Sequence, residues 1–292
     1  METLYVGVDG GASKCIVRVE DESGRLLGQA TSGSANIRLS VPQSWQSIRT
    51  ALDEVLQPLG LSFDKDQAHM QVAMGLAGCE VKEAYEAFLQ KAKGFPKLIV
   101  TSDAHTACLG AHAGHDGAVI IIGTGVIGWQ IEGDHTCRVG GFGFPHDDEG
   151  GGAWLGMQAM RMTLRYLDGR SPVSALSKAV YDSFNQNQDA LVTWANQANS
   201  TAFAELAPIV IKLAASSDET AVRIMQEAAG AVDGVAAALL AGQRRKDRAL
   251  PCVLVGGVAE FIQPYLGEDL RSRLQVCKLP PVSGALLLLR DL

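Results

Sequence analysis

The chain has 292 residues, 47% of them hydrophobic and 20% charged, which is enough apolar content for a sizeable core and a length that suits two domains better than one. A formal net charge of -7 with a pI near 5.4 argues against a nucleic-acid partner, because phosphate backbones are held by clustered Lys and Arg. No run of about 18 residues lacks charge, the start Met1-Glu2-Thr3-Leu4 has no leader-like basic and apolar regions, and the six cysteines are scattered without C-x-x-C or metal-ligand spacing; the expectation is a cytoplasmic protein with reduced thiols and no membrane partner.

Leu4, Val6 and Val8, and then Ile16, Val17 and Val19, read as two strands flanking Asp9-Gly10-Gly11-Ala12-Ser13-Lys14. The residues leave two readings of that junction. It is a hairpin turn on a glycine pair, or a loop whose backbone N–H groups converge on an anion beside the Ser13 hydroxyl and the Lys14 charge. Glu22-Ser23-Gly24-Arg25 reads as a turn into a third strand over residues 26–30. Ser40 is placed to cap a helix in which Trp45, Ile48, Leu52, Val55, Leu56 and Leu59 recur at helical spacing before Gly60. A strand (72–76), a helix (81–93), a strand (98–101) and a short helix (104–111) follow, and the order βββαβαβα points to a mixed sheet with helices on its faces.

From Gly117 the opening motif recurs about 115 residues further on, which suggests two copies of one topology. A strand over 118–122 is followed by a small-residue loop, Gly123-Thr124-Gly125, and a returning strand over 129–131. Residues 152–242 read as almost wholly helical; Val222, Met225, Ala229, Val232, Ala236 and Leu239 form the stripe of a core helix, and Arg244-Arg245-Lys246 caps its end. A strand over 252–255, Gly256-Gly257, a helix from Val258, a short strand near Val276 and a last helix after Pro280-Pro281 complete the chain. The expected division is a domain over 1–113 and a second over 114–292 with a helical insertion, the last helix being free to pack back on the first domain.

Three glycine motifs thus end strands, where α/β sheets place ligands: residues 10–14, Gly123-Thr124-Gly125 and Gly256-Gly257. Neither G-x-x-x-x-G-K-[ST] nor a helix-opening G-x-G-x-x-G occurs. Asp103, just after a buried strand, is placed either to accept a proton or to cap its helix. Residues 140–156 are dense in glycine and acid, with a carboxylate acceptor at Asp148 and an aromatic ring at Phe142. His146-Asp147-Asp148-Glu149 also reads as a capping turn or a metal site, although one histidine is thin support for a metal.

In order and spacing, these motifs resemble the sugar kinase, hsp70 and actin superfamily, and within it the branch of N-acetylglucosamine kinases and BadF/BadG-type ATPases, over nearly the whole chain. The first loop resembles D-G-G-G-T-K, with Ala12 and Ser13 as departures; the second resembles G-T-G-S, with Val126 for Ser. Residues 140–150 resemble G-G-W-G…G-D-E-G-S, with Phe142 for Trp; Ser34-Ala35-Asn36 resembles S-T-N, and Gly75-Leu76-Ala77-Gly78 resembles G-L-S-G. The resemblance implies an α/β fold of two actin-like (ribonuclease H-like) domains of related topology with an interdomain active-site cleft, using ATP and Mg²⁺. It implies Asp103 as catalytic base, Asn36, Gly141, Phe142 and Asp148 on the sugar, and Asp9 holding the metal. Gly10, Gly11, Ala12, Ser13, Lys14, Gly123, Thr124, Gly125, Gly256 and Gly257 would then lie on the nucleotide.

The activity implied is transfer of the γ-phosphoryl of ATP to the 6-hydroxyl of glucosamine or N-acetylglucosamine, a small-molecule amino sugar, with a homodimer left open. Activator ATPases of CoA-dehydratase and benzoyl-CoA-reductase enzymes in the same branch carry G-G-Q-D where this chain has Gly140-Gly141-Phe142-Gly143. A non-catalytic sugar sensor is the third class, and would normally add a DNA-binding module. An extra negative charge at Asp147, before Asp148 and Glu149, is expected to favour the cationic sugar.

Overall fold

The computed structural model describes residues 3–290, which divide into two units: one of residues up to Gly117, Gln130–His135 and Val276 onward, the other of Ala118–Trp129 and Thr136–Gln275. The first unit opens with a meander of β1 (Leu4–Gly10), β2 (Cys15–Glu20) and β3 (Leu26–Ser32), paired antiparallel. Helices α1 (Val41–Leu56) and α2 (Phe63–Asp66) lead to β4 (Met70–Leu76), then α3 (Lys82–Lys91), β5 (Lys97–Ser102) and α4 (Asp103–Ala111). The sheet order is β3-β2-β1-β4-β5, with β1, β4 and β5 parallel.

Alternation decides the faces. Leu4, Val6 and Val8 of β1 join Val72 and Met74 of β4 in a core closed by Ile48, Leu52, Val55 and Leu56 of α1, as the helical spacing predicts. Ser40 caps α1 by accepting the Gln43 N–H at 3.2 Å. Tyr5, Ala73 and Ile99 point the other way, onto Ala285, Leu286 and Leu289.

A second sheet, most of whose residues belong to the second unit, holds β6 (Gly117–Ile122), β7 (Val126–Glu132), β8 (His135–Gly140) and β9 (Cys252–Val255) in the order β8-β7-β6-β9, with β6 and β9 parallel. That order repeats β3-β2-β1-β4, so the recurrence read in the sequence is one of topology. Between β8 and β9 run α5 (Gly152–Leu167), α6 (Ala175–Ser183), α7 (Gln188–Gln197), α8 (Ser200–Ala204), α9 (Ala207–Ala215) and α10 (Glu219–Gly242). Short α11 (Ala259–Ile262) and α12 (Glu268–Arg271) follow β9. Helix α10 is long and apolar enough to cross a membrane by composition, yet Met225, Ala229, Val232, Ala236 and Leu239 are buried against Ile120, Ile122 and Trp154. It is a core helix, with Val222 at the edge of its stripe.

Two expectations are corrected. No strand forms near Val276, which is 87% exposed; Leu274 instead makes an isolated bridge to Cys252, and Lys278 and Leu279 then donate to the Ala111 and Gly110 carbonyls of α4. Strand β8 was not foreseen, because it is short and nowhere fully buried, with only Cys137 and Val139 alternating inward onto the core. The last helix, α13 (Pro281–Leu287), packs on α4 so closely that a Cβ at Gly284 would lie 1.9 Å from the Thr106 carbonyl oxygen.

Candidate active site

In the first unit the parallel strands end level with one another, Asp9 beside Gly75 and Gly75 beside Thr101. The segments that leave them are tied together: Ala77 N–H donates to the Gly10 carbonyl at 2.8 Å, Ala35 N–H to that of Gly11 at 3.0 Å, and Ile37 N–H to that of Ala77 at 2.9 Å. Residues 10–14 form a hairpin closed by Gly11 N–H on the Lys14 carbonyl at 2.9 Å, so the turn reading holds geometrically. Its tip, Ala12, Ser13 and Lys14, is exposed, which also leaves it open to an anion. Gly10 is required by close packing, since a Cβ there would meet Leu76 at 2.5 Å and Ala35 at 2.9 Å.

Asn36 is buried, and its Oδ1 accepts the Arg38 N–H at 3.1 Å, which fixes the carboxamide and leaves its NH₂ as the donor. Asp103 opens α4, but the cap is Ser102, whose Oγ accepts the His105 N–H at 3.2 Å. The Asp103 carboxylate is therefore not the capping group; its Oδ1 accepts the adjacent Ala104 N–H, at 2.9 Å. Burial pushes its pKa up to about 6, opposed by that hydrogen bond and reinforced by the negative charges of Asp9 and Glu80. Asp9 is likewise pushed up to about 6 by burial, with Lys14 pulling the other way. Ser102→Ala should remove about 1 kcal/mol of stability, the usual cost of an N-cap; urea unfolding checks this, and an unchanged midpoint would show that the cap contributes nothing.

In the second unit, Gly123-Thr124-Gly125 leaves β6 and lies against the start of α5. Gly152 N–H donates to the Gly123 carbonyl at 2.8 Å and Ala153 N–H to that of Thr124 at 2.9 Å, which satisfies two first-turn donors of the helix. Gly256, at φ 106°, sits where a Cβ would be 2.3 Å from the Ile122 carbonyl oxygen, while Gly123 and Gly257 face open space. Asp148 adopts φ 68°, and its Oδ1 accepts the Val126 N–H at 3.3 Å; only a glycine fits beneath its carboxyl at Gly125, where a Cβ would be 2.3 Å away. Asp148 and both glycine motifs thus share one end of this unit's sheet.

The nearby loop holds Gly140, Gly141 and Gly143, all at positive φ, and an exposed Phe142. Asp147, beside Asp148, accepts the Phe142 N–H on its Oδ2 at 2.7 Å. Arg138, missed in the sequence, donates to the carbonyls of Gly140 and Gly141. No group of three or more His, Cys, Asp or Glu side chains gathers at metal-binding distance among the described residues.

The sequence pattern of the BadF/BadG/BcrA/BcrD ATPase family matches residues 6–287. The chain belongs to that family. It is 35% identical to the glucosamine kinase GspK of Vibrio cholerae, over 97% of this chain and 94% of that protein. A solved candidate N-acetylglucosamine kinase from Chromobacterium violaceum superposes with a TM-score of 0.91 at 32% identity, covering 99% of each chain. A glucokinase of the ROK family from Streptomyces griseus superposes at 0.53 with 16% identity over 97% of each chain, a likeness of fold alone. The fold of this BadF/BadG-family chain is the α/β architecture of two actin-like domains that the motifs implied.

Proposed function

We propose that the chain is an ATP-dependent hexosamine kinase, phosphorylating the 6-hydroxyl of glucosamine or N-acetylglucosamine. The observation that carries this reading is Asp103, a half-buried carboxylate freed from capping by Ser102 and raised toward neutrality. Such a group accepts the hydroxyl proton as the sugar oxygen bonds to the γ-phosphorus and the bond from phosphorus to the ADP oxygen breaks. The Asn36 amide and the Asp148 carboxylate hold sugar hydroxyls, with Gly141 and Phe142 against the ring. Residues 10–14, Gly123-Thr124-Gly125 and Gly256-Gly257 offer backbone amides and bare glycine faces to the nucleotide. The 35% identity to a glucosamine kinase and the likeness to a candidate N-acetylglucosamine kinase support the amino-sugar class.

Mg²⁺ fits the residues present. Asp9 is a partly buried carboxylate at the end of β1, and Mg²⁺ is commonly held by one or two carboxylates plus substrate phosphates. When bound, the ion neutralises charge on the phosphates. Sugar-dependent ADP release over a panel of hexoses and hexosamines tests the reading, and ATP hydrolysis indifferent to every amino sugar would overturn it. Asp9→Ala is expected to raise the Mg²⁺ concentration needed for half-maximal rate by roughly 10-fold or more, the effect of losing one good ligand contact, with sugar affinity held; an unchanged Mg²⁺ curve would remove Asp9 from the metal.

A further inference from the structure

Phe142 is an apolar ring left 71% exposed, on a loop whose glycines at 140, 141 and 143 take left-handed conformations. Glycines confer freedom on a segment, and a free loop would let such a ring fold back onto apolar surface. Two side chains prevent that. Arg138, at the end of β8, turns its guanidinium under the loop: Nε donates to the Gly140 carbonyl at 3.0 Å and Nη2 to that of Gly141 at 2.6 Å. Its central carbon lies 5.0 Å from the centroid of the Phe142 ring. On the other side, Asp147 Oδ2 accepts the Phe142 N–H at 2.7 Å. Arg138 makes no ion pair among the described residues, so its charge is spent on two carbonyls and a ring face, a task that needs a flat fork of donors and one that Lys cannot copy.

We propose that Arg138 and Asp147 are positioning residues that lock the Phe142 ring outward as a preformed platform for the sugar's apolar face, and that Asp147 acts through this hold and not through its charge on the amino group. The proposal rests on the hexosamine kinase reading. A ring already ordered loses little freedom when the sugar arrives, so releasing the loop weakens sugar binding while leaving the proton transfer at Asp103 alone.

The test combines kinetics with a readout independent of activity. Arg138→Ala and Arg138→Lys should each raise the sugar KM roughly 3- to 10-fold, the range for one newly immobilised side chain, with kcat and the KM for ATP nearly unchanged. Asp147→Gly should raise KM for glucosamine and N-acetylglucosamine alike. Asp147→Asn, which removes the charge but keeps an acceptor, should leave the ratio of kcat/KM for the two sugars as it was. In Phe142→Trp protein labelled with 5-fluorotryptophan, the added fluorine resonance should sharpen and shift toward its mobile position when Arg138→Ala is introduced. A fall in kcat at constant sugar KM, a changed sugar ratio in Asp147→Asn, or a fluorine resonance indifferent to Arg138 would each overturn the proposal. If no amino sugar is phosphorylated but the resonance does respond, the hold on Phe142 stands and the kinase reading falls, taking the platform role with it.

Discussion

Asp103→Asn should lower kcat by about 10²- to 10⁴-fold, the contribution of a general base, while nucleotide affinity and fold persist. The substitution is close to isosteric. Asn keeps an oxygen for the Ala104 N–H, and Ser102 goes on capping the helix, so the change removes basicity and little else. Single-turnover kinetics with ATP in excess, alongside nucleotide titration, would check this, and near-native turnover would strip Asp103 of its role. The pH dependence gives a second handle. A base works only when deprotonated, and this one is pushed up to about 6, so kcat should fall as pH drops through about 6 and be level above it. Asp9 is raised to a similar value and the two influence each other, so the limb reports the pair. The stability sign runs the other way from a salt-bridged carboxylate. A folded pKa above the unfolded one means that folding favours the protonated acid, so stability is lost as pH rises from about 4 through about 6. Asp103→Asn should therefore melt higher than the wild type above that window and equally below it.

Gly284→Ala should destabilise the first unit by about 1–3 kcal/mol or more, the range for forcing extra volume into a packed core. Its added Cβ would stand 1.9 Å from the Thr106 carbonyl oxygen and 2.6 Å from the Gly110 amide nitrogen. Both are backbone atoms of α4, so no rotamer change relieves the clash and the two helices must part. A loss of that size would lower Tm by roughly 2–4 °C per kcal/mol, and because α4 begins at Asp103, turnover should fall with it. Gly230→Ala, on α10 with nothing within 4 Å of the new Cβ, is the contrast and should raise stability by about 0.5–1 kcal/mol. Equal melting of the two variants would show that the helix contact tolerates a methyl group.

Local signals carried much of the fold. The alternation of Leu4, Val6 and Val8, the hydroxyl at Ser40 ahead of a helical spacing, and the stripe along α10 each encode their structure within a few residues. What escaped the reading depends on distant partners. That Gly10 is needed for Leu76 and Ala35, and Gly125 for Asp148, follows from contacts made only after folding. The half-exposed β8 had only two alternating apolar residues, Cys137 and Val139, to announce it. At the site, residue types marked Asp103 and Asp148 as chemically competent, but nothing in Thr101-Ser102-Asp103 says which of the two polar side chains becomes the cap. For Asp147, spacing cannot show that one of its oxygens accepts a backbone N–H five residues back, through a run of left-handed glycines.

The placement of α13 bears on how the protein is made. The sheet face of Tyr5, Ala73 and Ile99 is covered by Ala285, Leu286 and Leu289, and Glu20 receives Arg290 at 2.6 Å. On the ribosome, strands β1 to β5 emerge early, yet the residues that seal them emerge after the whole intervening unit has been synthesised. The nascent first unit therefore waits with one apolar face bare, and the second, whose residues end at Gln275, is free to settle before it. Closure requires contacts spanning some 270 positions, as between Glu20 and Arg290, and contacts of such separation are the kind that form late because the loop entropy must be met first.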